Sequence, residues 1–368
     1  MEKRKRQQPK VSIIMPSLNV APYIWQCMDS VVNQTLREIE IICVDAGSTD
    51  GTAEILESYA ERDDRITLIH SPVKSYGHQM NLGIERAKGT YIGIIETDDF
   101  ASPDMFEVLH RAAENNAVEV VKSSYFRCSG VQGACEDIVY PYMEFPYNRA
   151  FNPEKYPRIL MPEPAIWSGL YQRKFLLENE IDFLETPGAA YQDTSFILKV
   201  WFCAARVLIL KEAFLHYRID NGASSVNSTG RAFNICKEFQ NAQNYLDQRP
   251  EKKRCFQANL LARKEYGYYW NYMRLGDSLK PSFFRRYQSE FSEVRQVEKS
   301  SLKAFSHKAR LRLACMRESS DDCSFAALEN QKRPCPAAFI VDHSLRYLFR
   351  KSACCLNRYI RSKRKQEC

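Results

Sequence analysis

Three carboxyl groups fall within four positions in Glu96-Thr97-Asp98-Asp99. Carboxylates at that density repel one another and are stable together chiefly where a divalent cation or a cationic ligand joins them. A second acidic run, Asp45-Ala-Gly-Ser48-Thr-Asp50-Gly51, stands earlier in the chain, and Asp50 suits the cap of the helix that follows it. Asp193 precedes an apolar stretch, Thr194 to Ala205. A carboxylate there can cap the helix, and the helix dipole would keep it ionised and able to take a proton from a hydroxyl. Later come His216, either a metal ligand or a core histidine at a strand end, and Arg218, a planar donor suited to phosphate.

The elements that must position these groups are legible in the first third. β-branched runs begin at Val11, Ile39, Ile66, Tyr91 and Val118, recurring every 25 to 28 residues. Between them lie helical patterns at Pro22 to Gln34, Thr52 to Ala60, His78 to Lys88 and Pro103 to Asn115, the last with Ser102 as its cap. Such alternation predicts an α/β fold, a mostly parallel sheet with helices on both faces. Ligands of such sheets bind beyond the carboxyl ends of the strands. The acids after the second and fourth strands therefore share one edge.

The loop after the first strand narrows the chemistry. A receiver domain or a phosphoaspartyl phosphatase needs acids there, but the chain reads Met15-Pro16-Ser17-Leu18-Asn19. A nucleotidyltransferase would show a glycine-rich basic loop, and a dinucleotide oxidoreductase GxGxxG; neither is present. A fold that binds a nucleotide diphosphate through a metal remains. The ordered set VSIIMPSLN from Val11, DAGSTDG from Asp45, Asn81-Leu-Gly-Ile84, the DxD-like Glu96-Thr97-Asp98, WSGLYQRKF from Trp167, the stretch from Gly188 to Phe196, and His216-Tyr217-Arg218 resembles glycosyltransferase family 2, of the GT-A fold. The resemblance covers about Val11 to Val226.

It implies a metal-dependent, inverting transferase that moves a sugar from a nucleotide-diphosphate donor, a UDP-sugar for preference, to a hydroxyl on a glycan or lipid-linked acceptor in polysaccharide biosynthesis. Pro16, Ser17, Asn19, Asp45 and Ser48 would surround the nucleotide, with Thr97 beside them. Glu96 would reach the ribose, although it is one methylene longer than the usual Asp. Asp98 would hold Mg²⁺ or Mn²⁺, with His216 completing the shell, and Arg218 would bind phosphate. Gly77 and His78 could face the donor or merely form a turn, and Trp167 would floor the sugar pocket. Family members often carry Glu-Asp where this chain has Gln192-Asp193, which leaves Asp193 as the one base. The alternative from another class is an inactive relative acting as a membrane-associated assembly subunit.

Charge divides the chain. The net charge is +7, of which residues 1–10 carry +4 and residues 345–368 carry +7, so the body between them is mildly acidic. That distribution argues against a nucleic-acid partner and for attraction of the ends to an anionic surface. The expected organisation is a basic tail over 1–10, a GT-A domain over 11–226 with a nucleotide half (11–125) and an acceptor half (126–226), a helical region over 227–336, and a basic amphipathic helix over 337–368. In that last segment Leu345, Leu348, Cys355, Leu356 and Tyr359 fall on one helical face and Arg346, Arg350, Lys351 and Arg358 on the other. No apolar run reaches the ~18 residues of a membrane span, the N-terminus lacks a secretory pattern, and thirteen irregularly spaced cysteines suit a reducing compartment. The protein is expected in the cytoplasm, peripheral on the inner face of the cell membrane.

Overall fold

The computed structural model describes residues 8–129, 134–221, 231–292, 301–319, 321–322 and 325. The first four apolar runs become β1 (Val11–Ser17), β2 (Ile39–Asp45), β3 (Ile66–His70) and β4 (Tyr91–Ile94), connected by α1 (Ala21–Val32), α2 (Thr52–Ala60) and α3 (Tyr76–Arg86). β1 pairs in parallel with both β2 and β4, and β2 with β3. β1 is buried at every position, which is why it reads as a continuous apolar run rather than an alternating one. Its odd positions Val11, Ile13 and Met15 join Ile24, Met28 and Val31 of α1 in one core. The next residue turns to the opposite face, where Ile14 meets Gly83 of α3. Each such side chain contributes about 1.5–3 kcal/mol through burial.

The sheet continues through β5 (Phe100–Ala101), β6 (Val120–Ser129), β7 (Ala134–Val139), β8 (Gly169–Gln172) and β9 (Val207–Arg218) in the order β3-β2-β1-β4-β8-β6-β9-β5, with β7 on β6. β8 runs antiparallel to both β4 and β6. The fifth run of the sequence repeat, now β6, therefore keeps the direction of β4 but is not its neighbour. The crossover through α4 (Met105–Asn116) sets strand direction, and it leaves room for a later strand to enter between.

Two helix starts differ from the pattern in the sequence. α3 begins at Tyr76, two residues before His78, because the Ser75 hydroxyl accepts the His78 amide. α4 begins at Met105 with no side-chain cap. Ser102 is drawn instead to β9, where its Oγ lies 3.1 Å from His216 Nε2.

The remaining helices are α5 (Arg173–Glu178), α6 (Gln192–Cys203), α7 (Asn234–Asp247), α8 (Pro250–Arg274), α9 (Lys280–Ser292) and α10 (His307–Glu318). Pro250 opens α8 at a position whose N–H would have no partner anyway. α6 packs on α7, and α7 on α8. Packing divides the chain into one compact unit of Met1–Leu279 with Glu298–Phe305, and a second of Lys280–Val297 with Ser306–Cys368. The sheet and α1 to α8 thus share a unit. In the second unit the Phe284 ring stacks on Phe325 at 5.0 Å, and the Gln288 amide donates to the carbonyls of Met316 and Ser319. The expected amphipathic helix over 337–368 lies outside the described residues. Among the described residues, no helix is long and apolar enough to cross a membrane.

Candidate active site

A cleft of about 260 Å³ opens at the carboxyl ends of β1 and β4. Its wall includes Pro16, Ser17, Glu96, Thr97 and Asp98 on the sheet edge, Lys74 to Tyr76 from the start of α3, and Trp167, Tyr217 and the segment from Gly188 to Asp193. The last segment reaches the sheet edge through main-chain pairing. Gly188 N donates to Lys74 O at 2.7 Å, and Tyr76 N donates to Gly188 O at 3.0 Å. Gly188 adopts φ +76°, and a Cβ there would stand 2.1 Å from the Arg231 guanidinium carbon, so only glycine suits the position.

The acidic turn has three environments. The Glu96 carboxyl is buried, and burial pushes its pKa up to about 8, with the Asp98 and Asp193 carboxylates adding to the rise and a hydrogen bond from Tyr76 opposing it. Asp99 is likewise buried and held well above the usual carboxylate range by burial and by Asp98. Its Oδ1 accepts the Arg218 amide at 2.8 Å, while its Oδ2 is buried without a partner. Asp98 faces the cleft, and its Oδ2 accepts Asn221 Nδ2 at 2.7 Å. Thr97 Oγ1 donates to Pro16 O at 2.8 Å, which ties this turn to the end of β1.

Asp193 lies in the first turn of α6, one residue inside the helix; the N-cap position belongs to Tyr191, in the left-handed region at φ +70°. Asp193 therefore does not cap α6. Burial pushes its pKa up to about 6, against the pull of the Arg263 cation from α8 and of hydrogen bonds from Thr194 and its own amide at the helix start, so burial outweighs the helix start. A carboxylate with that pKa is largely ionised at neutral pH yet can hold a proton, the condition for a general base. Trp167 stacks on Tyr217 at 5.1 Å and presents an aromatic surface to the cleft.

Several expected residues are not in the cleft wall. Asp45 spends its carboxylate on its own turn, accepting the amides of Gly47 and Ser48 at 2.9 and 3.0 Å. Ser48 Oγ in turn accepts the Asn19 amide, and Asn19 Oδ1 accepts the Thr49 amide, so Asn19, Asp45 and Ser48 fasten two loops together. Asp50 receives the amides of Ala21 and Thr52, the first residues of α1 and α2, although the N-cap of α2 is Gly51. Gly77 packs against main chain: a Cβ there would stand 2.3 Å from Leu184 O. His78 pairs through Nδ1 with Glu185 at 2.9 Å.

His216 is not in the wall of the cleft that Asp98 lines. Its ring is stacked between Phe100 and Phe126, at 4.3 and 4.6 Å, and Nδ1 faces Cys128 Sγ. Burial pushes its pKa down to about 4, so it is a neutral core histidine. Arg218 packs over the rings of Tyr23 and Phe100 and bonds Gln26. The strand's alternation turns Tyr217 to the cleft in their place. Lys74, Tyr76, Tyr191, Tyr217 and Asn221 also line the cleft, and no motif in the sequence marks them for that role. Tyr217 lies between His216 and Arg218, but which face of β9 meets the cleft is a tertiary fact.

The comparisons with known proteins agree with this fold. The model of Glycosyl transferase family 2 matches residues 12–169. Similar proteins include EpsJ of Bacillus subtilis strain 168, an uncharacterized glycosyltransferase 36% identical over 216 residues that make up 57% of this chain and 61% of EpsJ. EpsH of the same organism, a putative glycosyltransferase, is 32% identical, with 58% of this chain and 62% of EpsH covered. The chain thus spans about three fifths of the length of these relatives. Among solved structures, residues 1–349 of S. aureus TarS in complex with UDP-GlcNAc align with a TM-score of 0.66 at 16% identity, covering 87% of this chain and 90% of that one. The likeness shows the fold, the mixed GT-A sheet with a helical region after it.

Proposed function

We propose that the chain is a metal-dependent, inverting glycosyltransferase that moves a sugar from a nucleotide diphosphate to an acceptor hydroxyl. The observation that carries this reading is the convergence of Asp98, the Trp167 ring and Asp193 on one cleft at the strand ends. UDP-GlcNAc bound to TarS, which shares the fold, supports a UDP-sugar as donor.

Ser17, with a buried hydroxyl that has no partner in the protein, and Thr97 would meet the nucleotide. Among the described residues no three His, Cys, Asp or Glu side chains form a group able to hold a metal by themselves. One hard carboxylate facing the cleft still fits Mg²⁺ or Mn²⁺ when diphosphate oxygens and water complete the shell. Held by Asp98, that ion would stabilise the charge gathering on the departing diphosphate. Asp193 would accept the proton of the acceptor hydroxyl as its oxygen bonds to the anomeric carbon. The bond from that carbon to the diphosphate breaks at the same time, and the electron pair leaves with the nucleotide. Attack opposite the leaving group inverts the anomeric centre. Trp167 would lie along the sugar ring.

The acceptor is a glycan or a lipid-linked sugar in polysaccharide synthesis. The basic, amphipathic pattern of residues 337–368 supports a peripheral seat on an anionic membrane at its cytoplasmic face, where each Lys or Arg near the surface contributes about 1 kcal/mol. Sedimentation of the full-length chain with anionic liposomes at low salt, lost on truncation before Asp342, checks that part. Calorimetry with UDP-GlcNAc, with and without Mn²⁺, tests the reading itself. Binding that needs the ion supports it, and absence of binding to any nucleotide sugar in either condition overturns it.

A further inference from the structure

The aromatic stretch from Tyr266 to Tyr272 on α8 divides by helical face. Tyr268 and Tyr272 are buried in the core, while Tyr266, Trp270 and Met273, spaced one turn apart, are 46%, 39% and 48% exposed. A soluble helix gains nothing by presenting two aromatic rings and a thioether to water, and such a stripe marks a binding surface. The stripe is continuous with the cleft at its base end. The Tyr191 ring, in the cleft wall two residues before Asp193, stands edge-on to Trp270 at 6.4 Å, and its hydroxyl donates to Asn271 Oδ1 at 2.6 Å. Arg274 lies over the indole at 4.0 Å, so a guanidinium donor borders the stripe, while Arg263, over the Tyr266 ring at 5.6 Å, is itself buried.

We infer that Tyr266, Trp270 and Met273 form an acceptor platform, which holds successive sugar rings of an oligosaccharide as its terminal hydroxyl enters the cleft beside Tyr191 and reaches Asp193. The inference rests on the proposed transferase reading and commits it to a saccharide chain rather than a lipid-linked monosaccharide. The occupant follows from the chemistry. Pyranose rings offer apolar C–H faces and hydroxyl edges, which match aromatic faces bordered by Arg274 and the indole N–H. A lipid surface would instead favour a wholly apolar stripe with its cations set on the opposite face.

The test uses the full-length chain, with an array of defined bacterial oligosaccharides from one to six sugars as probe and UDP-GlcNAc calorimetry in parallel. Wild type should retain at least one saccharide with an affinity that rises with chain length. Trp270→Ala should weaken that retention by about fivefold or more, the scale of a lost aromatic contact, and Trp270→Phe should restore much of it. Trp25→Ala, an exposed aromatic on α1, should change nothing. Donor affinity should be the same in all four proteins, which shows that the cleft is intact. Equal retention by wild type and Trp270→Ala, or no saccharide bound above the Trp270→Ala level, overturns the platform, as does Trp270-dependent sedimentation with liposomes in place of glycan binding. Failure of every form to bind a nucleotide sugar, with length-dependent glycan retention kept, removes the transferase reading and leaves the platform standing.

Discussion

The Tyr76 hydroxyl donates to Glu96 Oε1 at 2.6 Å, joining the first turn of α3 to the acidic turn after β4. Tyr76 is half-buried in the cleft wall, and its pKa is raised first by that burial and then by Glu96 and Asp193. One phenol thus stands between the donor side of the cleft and the proposed base. The bond opposes the rise in the Glu96 pKa. Tyr76→Phe should raise that pKa further, which NMR titration of the Glu96 carboxyl would read directly; an unchanged midpoint would show the bond to be dispensable.

Buried acids should make the fold weaken as the solution turns alkaline. Glu96 and Glu238 are both pushed from 4.5 to about 8, chiefly by burial. The folded protein therefore holds their protons more tightly than the unfolded chain does. Their stabilising effect is full below about pH 4.5 and is lost as pH rises towards 8. Thermal melting across that window should show a falling Tm, and Glu238→Gln should flatten the slope. A Tm that rises between those limits in wild type and variant alike contradicts the assignment.

Asp98→Asn should abolish metal-dependent donor binding, since it removes the carboxylate best placed to share a cation with the diphosphate. Calorimetry decides: unchanged affinity and unchanged metal dependence would move the metal elsewhere.

Asp193→Asn should leave donor binding nearly intact and lower turnover by about 10² or more, the usual scale of a lost general base. Because Asp193 does not cap α6, its replacement should cost little stability. Turnover of the native chain should climb with pH through about 6, where Asp193 loses its proton. Near-native turnover in the variant rules out the base role.

His216→Ala should leave metal dependence as it is, because the imidazole is a stacked core group. It should instead lower stability by roughly 2–4 kcal/mol, as the ring leaves a cavity between Phe100 and Phe126. Denaturant melts combined with donor titrations separate the two effects, and a selective loss of metal response would restore His216 as a ligand.

Local rules set what could be read from the residues in order. Continuous β-branched runs at a regular interval specified buried strands joined by helices, and strand ends placed Ser17 and the Glu96 to Asp99 turn on one edge. The order of motifs carried the resemblance to glycosyltransferase family 2 without any coordinate. The tertiary structure decided what depends on contacts between distant segments. Alternation says that His216 and Arg218 share a face of β9, but only pairing of β9 with β5 and β6 shows that this face packs on Phe100 and Phe126 and that Tyr217 meets the cleft. Likewise, no local signal joins Asp193 to the strand edge. It arrives there because Gly188 pairs with the main chain at Lys74 and Tyr76, and because Ser75 Oγ donates to Thr186 O across 111 positions of sequence. The same is true of Asp45 and Gly77. A motif specifies a residue type at a place in the chain, whereas its role depends on whether its polar groups are left for a ligand. Asp45 spends its carboxylate on its own turn, Gly77 is required by the Leu184 carbonyl, and Asp98 keeps its carboxylate at the cleft.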